Sequence, residues 1–226
     1  MGVLADADLE RRLAALHGAS EAQTGETRAW FDAFFKDGGP PAAERDAQIK
    51  AHLADKMVAL DRDKAEFCYQ LIRAPGARRV VEIGTSYGVS TVYLAAAVRD
   101  NLAVHGGEGV VIGTEYEPDK VAAARALFAE NGLEGLIDLR EGDLRETLKD
   151  LSAPIGFVLM DIWIPMVMPA IELVAPRMRT GAVVVADNTA QHRDEYGPYL
   201  GYLAAHGFRT LTLPFDGGLE MSVKVA

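Results

Sequence analysis

The chain has a single cysteine, Cys68, and no cluster of basic residues among its 226 positions. One cysteine excludes an intramolecular disulfide framework and is typical of a reducing compartment. With a formal net charge of −10 and no basic stretch to follow a phosphate backbone, we expect no nucleic-acid partner. No apolar run reaches the ~20 residues that span a bilayer, and no basic region followed by an apolar stretch marks a secretory signal. These absences predict a soluble, cytoplasmic protein without a membrane partner.

The pattern of apolar residues divides the chain into a helical first third and an alternating remainder. Hydrophobic residues make up 49% of the chain, enough for a full core. Spacings of three and four predict helices over 8–16, 21–35, 42–54 and 62–73. Beyond position 78, strands are predicted near 79–83, 110–115, 137–141, 155–160 and 182–186. Helices are predicted between and after them, near 88–99, 118–131, 143–150, 166–178 and 194–206.

Alternating strands and helices indicate an α/β fold with a parallel sheet covered on both faces. Residues 208–215 and 219–225 form two further apolar runs, joined by Asp216-Gly217-Gly218, which is typical of a β-hairpin turn. We therefore predict a Rossmann-like, seven-stranded, mostly parallel sheet with an antiparallel strand from a C-terminal hairpin. Residues 1–55 are predicted to be a helical N-terminal extension, and residues 56–226 the main domain.

The most informative segment is a glycine-punctuated turn, Gly84-Thr85-Ser86-Tyr87-Gly88, between an apolar strand and a helix. Glycine lets the chain turn tightly there and brings backbone N–H groups against a ligand. The next strand ends at Glu115, and an acid in that place binds ribose hydroxyls in doubly wound folds. The two features predict an adenosine-containing ligand. The four-residue glycine spacing lacks the G-x-G-x-x-G that a pyrophosphate requires.

Further motifs follow in order along the chain, and each falls at the end of a predicted strand or in the hairpin. They are Glu115 with Pro118-Asp119, Glu141-Gly142-Asp143, Phe157 to Asp161, Gly181 to Asp187-Asn188, and Leu213 to Leu219. With this series of motifs, residues from about 56 to the end resemble the catechol and caffeoyl-CoA type of S-adenosylmethionine (SAM)-dependent O-methyltransferase, which also uses divalent cations. The resemblance covers some 170 residues.

The resemblance implies that SAM is the cofactor and that the main domain is a methyltransferase domain. The residues it assigns to SAM are Val58, Glu82, Gly84, Thr85, Ser86, Gly88, Ser90, Glu115, Tyr116, Gly142, Asp143 and Asp161. Among them, Glu115 is expected on both ribose hydroxyls, and Gly142-Asp143 beside the adenine. Tyr116 is expected to pack on the adenine ring, although a tyrosine at a strand end is also compatible with simple packing.

A metal site is predicted from two neighbouring strand ends. Asp161 ends the fourth strand, and Asp187 and Asn188 end the fifth. Because adjacent strands lie about 4.8 Å apart, these oxygens can converge into a site suited to Mg²⁺. Such a cation would lower the pKa of an acceptor hydroxyl. The alternative is that both aspartates cap the following helices.

The chain departs from the family at the general base. The resemblance places a lysine three residues after Asp161, and Ile164 stands there. The remaining candidates for catalysis are His192, Glu220 and Asp161 itself. Trp163, Ile164 and Glu220 are expected to contact the acceptor. The apolar surroundings predict a small aromatic, catechol-like acceptor.

Several functions remain open from the sequence. The leading interpretation is an O-methyltransferase assisted by Mg²⁺ or another divalent cation. A second keeps SAM without a metal, methylates a carboxylate or an amine, and gives Asp161 and Asp187 structural roles. An NAD(P)-dependent oxidoreductase and a non-catalytic binding protein are the further alternatives. The helix that carries Trp30-Phe31 and Phe34-Phe35 is expected to pack in a homodimer.

Overall fold

The computed structural model describes residues 2–36 and 39–226. It confirms the predicted α/β fold, with a helical N-terminal region followed by alternating strands and helices. The helices are α1 (Ala7–Phe34), α2 (Ala42–Leu53), α3 (Arg62–Arg73), α4 (Val89–His105), α5 (Pro118–Glu130), α6 (Leu144–Thr147), α7 (Ile164–Val174) and α8 (Gly197–Ala205). The strands are β1 (Arg79–Ile83), β2 (Val110–Glu115), β3 (Ile137–Glu141), β4 (Ile155–Met160), β5 (Met178–Asp187), β6 (Phe208–Leu213) and β7 (Leu219–Lys224).

The seven strands form one sheet in the order β3-β2-β1-β4-β5-β7-β6. All pairs among β1 to β5 are parallel, whereas β7 is antiparallel to both β5 and β6. This arrangement confirms the expected mostly parallel sheet with an antiparallel hairpin strand. The order reverses beside β1, so the carboxyl ends of β1, β2 and β4 meet around one crevice, where doubly wound folds bind ligands.

The core lies on both faces of the sheet because side chains alternate along each strand. In β1, Val80 packs with Tyr93 of α4 on one face, whereas Val81 packs with Val167 of α7 on the other. Every residue of β4 is buried, as expected for a central parallel strand. No helix within the described ranges is long and apolar enough to cross a membrane.

The N-terminal region differs from the prediction, because the two helices expected before position 36 are one helix. α1 continues through Gly18 for 28 residues. Leu9, Leu13 and His17 recur every four residues on its buried face, and His17 Nε2 lies 3.0 Å from the Tyr93 hydroxyl. A glycine in a helix costs only about 1 kcal/mol relative to alanine, so this packing overrides it. The division at residue 55 stays a prediction, although Leu9 and Leu13 belong to the main core.

The fifth strand also differs from the prediction, which placed it at 182–186. It begins four residues earlier, at Met178, and contains an irregularity. Ile155 pairs with Met178 and Phe157 with Val183, so β5 bulges between the two pairs. Gly181 lies in this bulge with φ of 77°, a conformation that favours glycine. The bulge explains why the apolar pattern indicates only the second half of the strand.

Replacing Gly18 with alanine tests the continuous α1. No heavy atom of the described residues lies within 4 Å of the added Cβ, so we expect Gly18→Ala to raise the free energy of unfolding by about 0.5–1 kcal/mol. Urea denaturation measures the change. Gly132→Ala is the matched control, because its Cβ would be equally unobstructed but its φ is 63°. That variant should lose about 1–2 kcal/mol. Destabilisation by Gly18→Ala would indicate a break in the helix.

Candidate active site

A cleft at the carboxyl edge of the sheet collects many of the residues that the sequence assigns to SAM. Its wall is built from the segment before α3, the glycine loop after β1, the start of α4 and the end of β4. The residues that line it are Met57, Val58, Ala59, Leu60, Gly84, Thr85, Ser86, Tyr87, Val89, Ser90 and Asp161. Val58 is exposed, with 53% of its surface accessible, which suits a side chain that covers a ligand from the open side.

The glycine loop has the backbone geometry that the sequence predicts. Gly84 has φ of 96° and Gly88 has φ of 85°. A Cβ on Gly84 would overlap the carbonyl oxygen of Asp161, and a Cβ on Gly88 would lie 2.6 Å from Phe128 Cε1. Both positions therefore need glycine for conformation and for space. The loop is held directly against the end of β4.

Glu82 holds the glycine loop from below, and this corrects the direct contact with SAM that the sequence suggests. The residue is fully buried, and its carboxylate accepts hydrogen bonds from Thr85 Oγ1 (2.9 Å) and Ser90 Oγ (2.7 Å). The Thr91 hydroxyl donates to the same carboxylate. Burial raises the pKa of Glu82, while the three hydroxyl donors lower it. Thr85 and Ser90 thus use their hydroxyl hydrogens to organise the loop, and Glu82 is a positioning residue.

Glu115 lies at the end of β2 with its carboxylate facing the glycine loop. Its Oε2 accepts the backbone N–H of Ser86 at 2.8 Å, and its Oε1 accepts that of Tyr116 at 2.8 Å. Gly142 approaches the same strand end, because its N–H donates to the Glu115 carbonyl at 2.8 Å. The half-buried Glu115 therefore joins the glycine loop to the end of β3, where a ribose between SAM's two ends would lie.

Asp143 and Tyr116 lie at the outer part of this region. Asp143 caps α6 by accepting the N–H of Arg145, and the Arg145 guanidinium contacts both of its oxygens. These side-chain hydrogen bonds lower the pKa of Asp143 to about 2, so it is a carboxylate at neutral pH. An adenine amino group would share this carboxylate with Arg145. Tyr116 is 59% exposed.

The two aspartates of the predicted metal site are paired with a lysine that the sequence analysis did not single out. Lys64 Nζ lies 2.8 Å from Asp187 Oδ1 and 2.8 Å from Asp61 Oδ2. Lys64 is 2% exposed, on the buried face of α3 with Ala65, Cys68, Tyr69 and Ile72. Burial alone would lower its pKa, but the ion pairs with Asp187 and Asp61 outweigh burial and raise it. The one sequence signal was a lysine inside an apolar stripe.

Asn188 and the second carboxylate oxygen of Asp187 are not arranged to bind a divalent cation. Asn188, with φ of 57°, donates from Nδ2 to Asp187 Oδ2 at 2.9 Å. Its Oδ1 faces the hairpin turn, since a Cβ on Gly217 would lie 2.5 Å from it. Asp187 Oδ2 therefore accepts from Asn188, whereas the buried Oδ1 is ion-paired with Lys64 and accepts no hydrogen bond from the described residues. Within the described ranges, no group of three His, Cys, Asp or Glu residues is arranged to hold a metal.

Asp161 lines the cleft with its carboxyl group close to Asp187. Burial raises the pKa of Asp161 well above its usual value, the negative charges of Asp187 and Glu82 raise it further, and Lys64 opposes them. The pKa of Asp187 is also raised, chiefly by burial, although the Lys64 ammonium lowers it. A carboxylate of raised pKa at the cleft wall is suited to accept a proton from a bound hydroxyl.

The other two candidates for catalysis are occupied elsewhere. Glu220 is 1% exposed and accepts hydrogen bonds from Arg193 (3.0 Å), Thr210 (2.5 Å) and Thr212 (2.6 Å). These contacts occupy the carboxylate that the sequence analysis expects at the acceptor. His192 Nδ1 lies 3.1 Å from Glu195 Oε1 in the turn before α8. Its ring is 39% exposed and is not among the residues that line the cleft.

Trp163 and Ile164 follow Asp161 at the start of α7. Trp163 is 40% exposed and Ile164 is half-buried. Ile162, Ile164, Met166 and Met168 all pack partly on the core beneath them and leave apolar surface at this rim. The structure thus places an aromatic and aliphatic wall next to Asp161, as expected for acceptor contacts.

Replacing Glu82 with glutamine tests its role beneath the loop. The amide offers two N–H donors where the three hydroxyl groups need an acceptor, so we expect a loss of about 1–3 kcal/mol in the free energy of unfolding. We also expect weaker binding of S-adenosylhomocysteine (SAH), measured by calorimetry. Glu134→Gln, at an exposed position before β3, is the control and should change neither quantity. A stable variant with unchanged SAH affinity would contradict the positioning role.

Comparison with known proteins shows that part of the sequence is similar to methyltransferases. A methyltransferase domain family matches residues 81–189. A catechol O-methyltransferase of Mycobacterium tuberculosis is 31% identical over 132 residues, which cover 58% of this chain and 57% of that protein. The chain thus spans little more than half the length of this curated relative.

Two solved structures share the fold across nearly their whole length. The O-methyltransferase TomG from Streptomyces achromogenes, in complex with SAM, superposes with a TM-score of 0.67 at 21% identity, over 88% of this chain and 95% of that one. An O-methyltransferase from Bacillus cereus, in complex with SAH, gives 0.65 at 20% identity, over 88% and 99%. At these identities the likeness shows the fold alone. Together with the sequence matches, it makes the chain similar to O-methyltransferases in its fold and in a methyltransferase-like segment over residues 81–189.

Proposed function

We propose that the protein transfers a methyl group from SAM to a hydroxyl of a small aromatic molecule. The observation that carries this proposal is the link between the Ser86 N–H and the Glu115 carboxylate at the cleft. It joins the glycine loop to the acid that we assign to the ribose, and Gly84 of the same loop lies against the Asp161 carbonyl. Relatives named as O-methyltransferases support transfer to oxygen.

The residues around the cleft suit the two ends of SAM. Gly84 and Ser90 line the cleft and are assigned to the methionine part, and the Glu115 carboxylate is assigned to accept hydrogen bonds from both ribose hydroxyls. Gly142, Asp143 and Tyr116 lie beyond Glu115, towards the adenine. SAM supplies a methyl group on a positively charged sulfur, which is already a good leaving group. The protein then has to position the acceptor and remove its proton.

The acceptor side of the site favours a flat apolar molecule. Trp163 offers exposed aromatic surface, and Ile162 and Ile164 provide aliphatic surface beside it. Asp161 and Tyr87 are the titratable residues among those that line the cleft. Because the pKa of Asp161 is raised, its carboxylate is the group we assign to take the hydroxyl proton. His192 and Glu220, which are bound elsewhere, are not part of this proposal.

Two finer expectations stay predictions within this function. A catechol-like acceptor fits the apolar wall, but a single phenolic hydroxyl satisfies the same contacts. A homodimer is compatible with the stacked rings of Trp30 and Phe34, whose centroids are 4.4 Å apart. Magnesium is left out of the proposal because Asp187 Oδ1 is ion-paired with Lys64 and Asp187 Oδ2 accepts a hydrogen bond from Asn188.

Two measurements test the proposed function. Calorimetry should show binding of SAM and SAH and no binding of NAD(P)H, which would separate a methyltransferase from an oxidoreductase. Transfer of the labelled methyl group is then measured on a panel of phenols, catechols, benzoates and arylamines. We expect methylated phenols or catechols. Methylation of only the carboxylates or amines would replace the hydroxyl acceptor, and binding of NAD(P)H instead of SAM would overturn the proposal.

Glu115 provides a test by substitution. Glu115→Gln keeps the length of the side chain and removes its charge, so SAH should bind about tenfold or more weakly, equivalent to ~1.4 kcal/mol. Calorimetry measures the affinity. Glu108→Gln is the control, since Glu108 is exposed in the loop before β2 and should bind SAH as the unmodified protein does. Equal affinities for both variants would remove Glu115 from the cofactor site.

A further inference from the structure

The Lys64 ammonium lies where the sequence analysis expects a metal ion. Its Nζ lies 2.8 Å from Asp187 Oδ1, at the end of β5, and 2.8 Å from Asp61 Oδ2, in the segment before α3. The side chain is 2% exposed and reaches this edge of the sheet from α3. Lys64 therefore supplies a positive charge beside the strand ends that carry Asp161 and Asp187.

The contacts of Lys64 leave little room for a second cation. Its ammonium is ion-paired with both Asp187 and Asp61, at 2.8 Å from an oxygen of each. The second oxygen of Asp187 accepts from Asn188. A divalent ion bound to Asp187 would lie within a few ångströms of the ammonium, where like charges in a poorly solvated site repel strongly. It would also have to displace a buried side chain from two ion pairs.

We propose that Lys64 is an internal counter-ion that takes the place of the divalent cation, so that methyl transfer by this chain needs no metal. This inference rests on the proposed methyltransferase function and specifies how its acceptor site is charged. Lys64 neutralises the negative charge of Asp187, so that this pair adds no net positive charge to the cleft. Asp161 is then left as the carboxyl group that faces the acceptor.

The step that this arrangement supports balances without a metal. A lone pair of the acceptor oxygen forms the new O–CH₃ bond while the C–S bond of SAM breaks, and the electron pair of that bond remains on sulfur. The hydroxyl proton passes to the Asp161 carboxylate and from there to solvent. Since no ion chelates two neighbouring oxygens, a single hydroxyl is sufficient. We therefore expect monophenols to be methylated as well as catechols of similar acidity.

Metal binding tests the inference independently of catalysis. The full chain, freed of metals by a chelator, is titrated with Mn²⁺ while free Mn²⁺ is followed by electron paramagnetic resonance. We expect the unmodified protein and the control Lys149→Gln, at an exposed lysine on the far end of α6, to bind no stoichiometric Mn²⁺. Lys64→Gln leaves Asp187 without its counter-ion and should bind Mn²⁺ at least about tenfold more tightly. Adding Asp187→Asn to that variant should abolish the gain.

Activity on a monophenol gives the second readout. Turnover of the unmodified protein should change less than about twofold between EDTA and Mg²⁺, whereas Lys64→Gln should lose about tenfold or more in EDTA and recover part of it with Mg²⁺. Lys64→Arg keeps the positive charge, so its turnover should remain insensitive to EDTA. This variant still tests the inference if Lys64→Gln does not fold. Stoichiometric Mn²⁺ binding by the unmodified protein, together with loss of turnover in EDTA, would overturn the inference.

The two proposals fail in different ways. If no acceptor is methylated under any condition while SAM still binds, the proposed function is wrong. The Mn²⁺ titration would nevertheless decide whether Lys64 replaces a metal. If acceptors are methylated only with a divalent ion, the proposed function holds and the role of Lys64 is wrong.

Discussion

Three acidic side chains are buried near the carboxyl edge of the sheet, and each needs its partners inside the protein. Glu82, Asp187 and Glu220 are all less than 10% exposed. A carboxylate removed from water is strongly destabilising unless it is hydrogen-bonded or paired with a positive charge. The geometry of the candidate site follows largely from how these three acids are satisfied.

Each of the three carboxylates has different hydrogen-bond or ion-pair partners, and each set of partners affects the site differently. Glu82 is surrounded by hydroxyl groups of the glycine loop and α4, which orders the loop around a future ligand. Asp187 is paired with Lys64, which supplies a positive charge where a metal was expected. Glu220 is bound by Arg193 and two threonines of β6, which stabilises the hairpin and removes this acid from the acceptor. Asp161, at the cleft wall, is the remaining carboxyl group suited to chemistry.

The positions of the residues expected to bind SAM and of those expected to bind the acceptor also depend on how acidic residues are held at the strand ends. Glu115 is bound by backbone N–H groups, which are available because β1 and β2 are neighbours and end at the same height. Asp161 is held close to the loop because Gly84 leaves no side chain between them. Asp161 therefore lies against the glycine loop on one side and is followed along the chain by the apolar residues Trp163 and Ile164.

The sequence by itself determined the fold and the cofactor end of the site. Alternating periodicity located β1 to β4 at their observed bounds, and the glycine turn with Glu115 indicated an adenosine-containing ligand, because these features are local along the chain. It could not show that α1 runs through Gly18, since packing against Tyr93 decides that. Nor could it show where Glu82, Lys64 and Glu220 direct their charges. Partners such as Lys64 and Asp187 are 123 positions apart (187 minus 64), and only the tertiary structure brings them within one ion-pair distance.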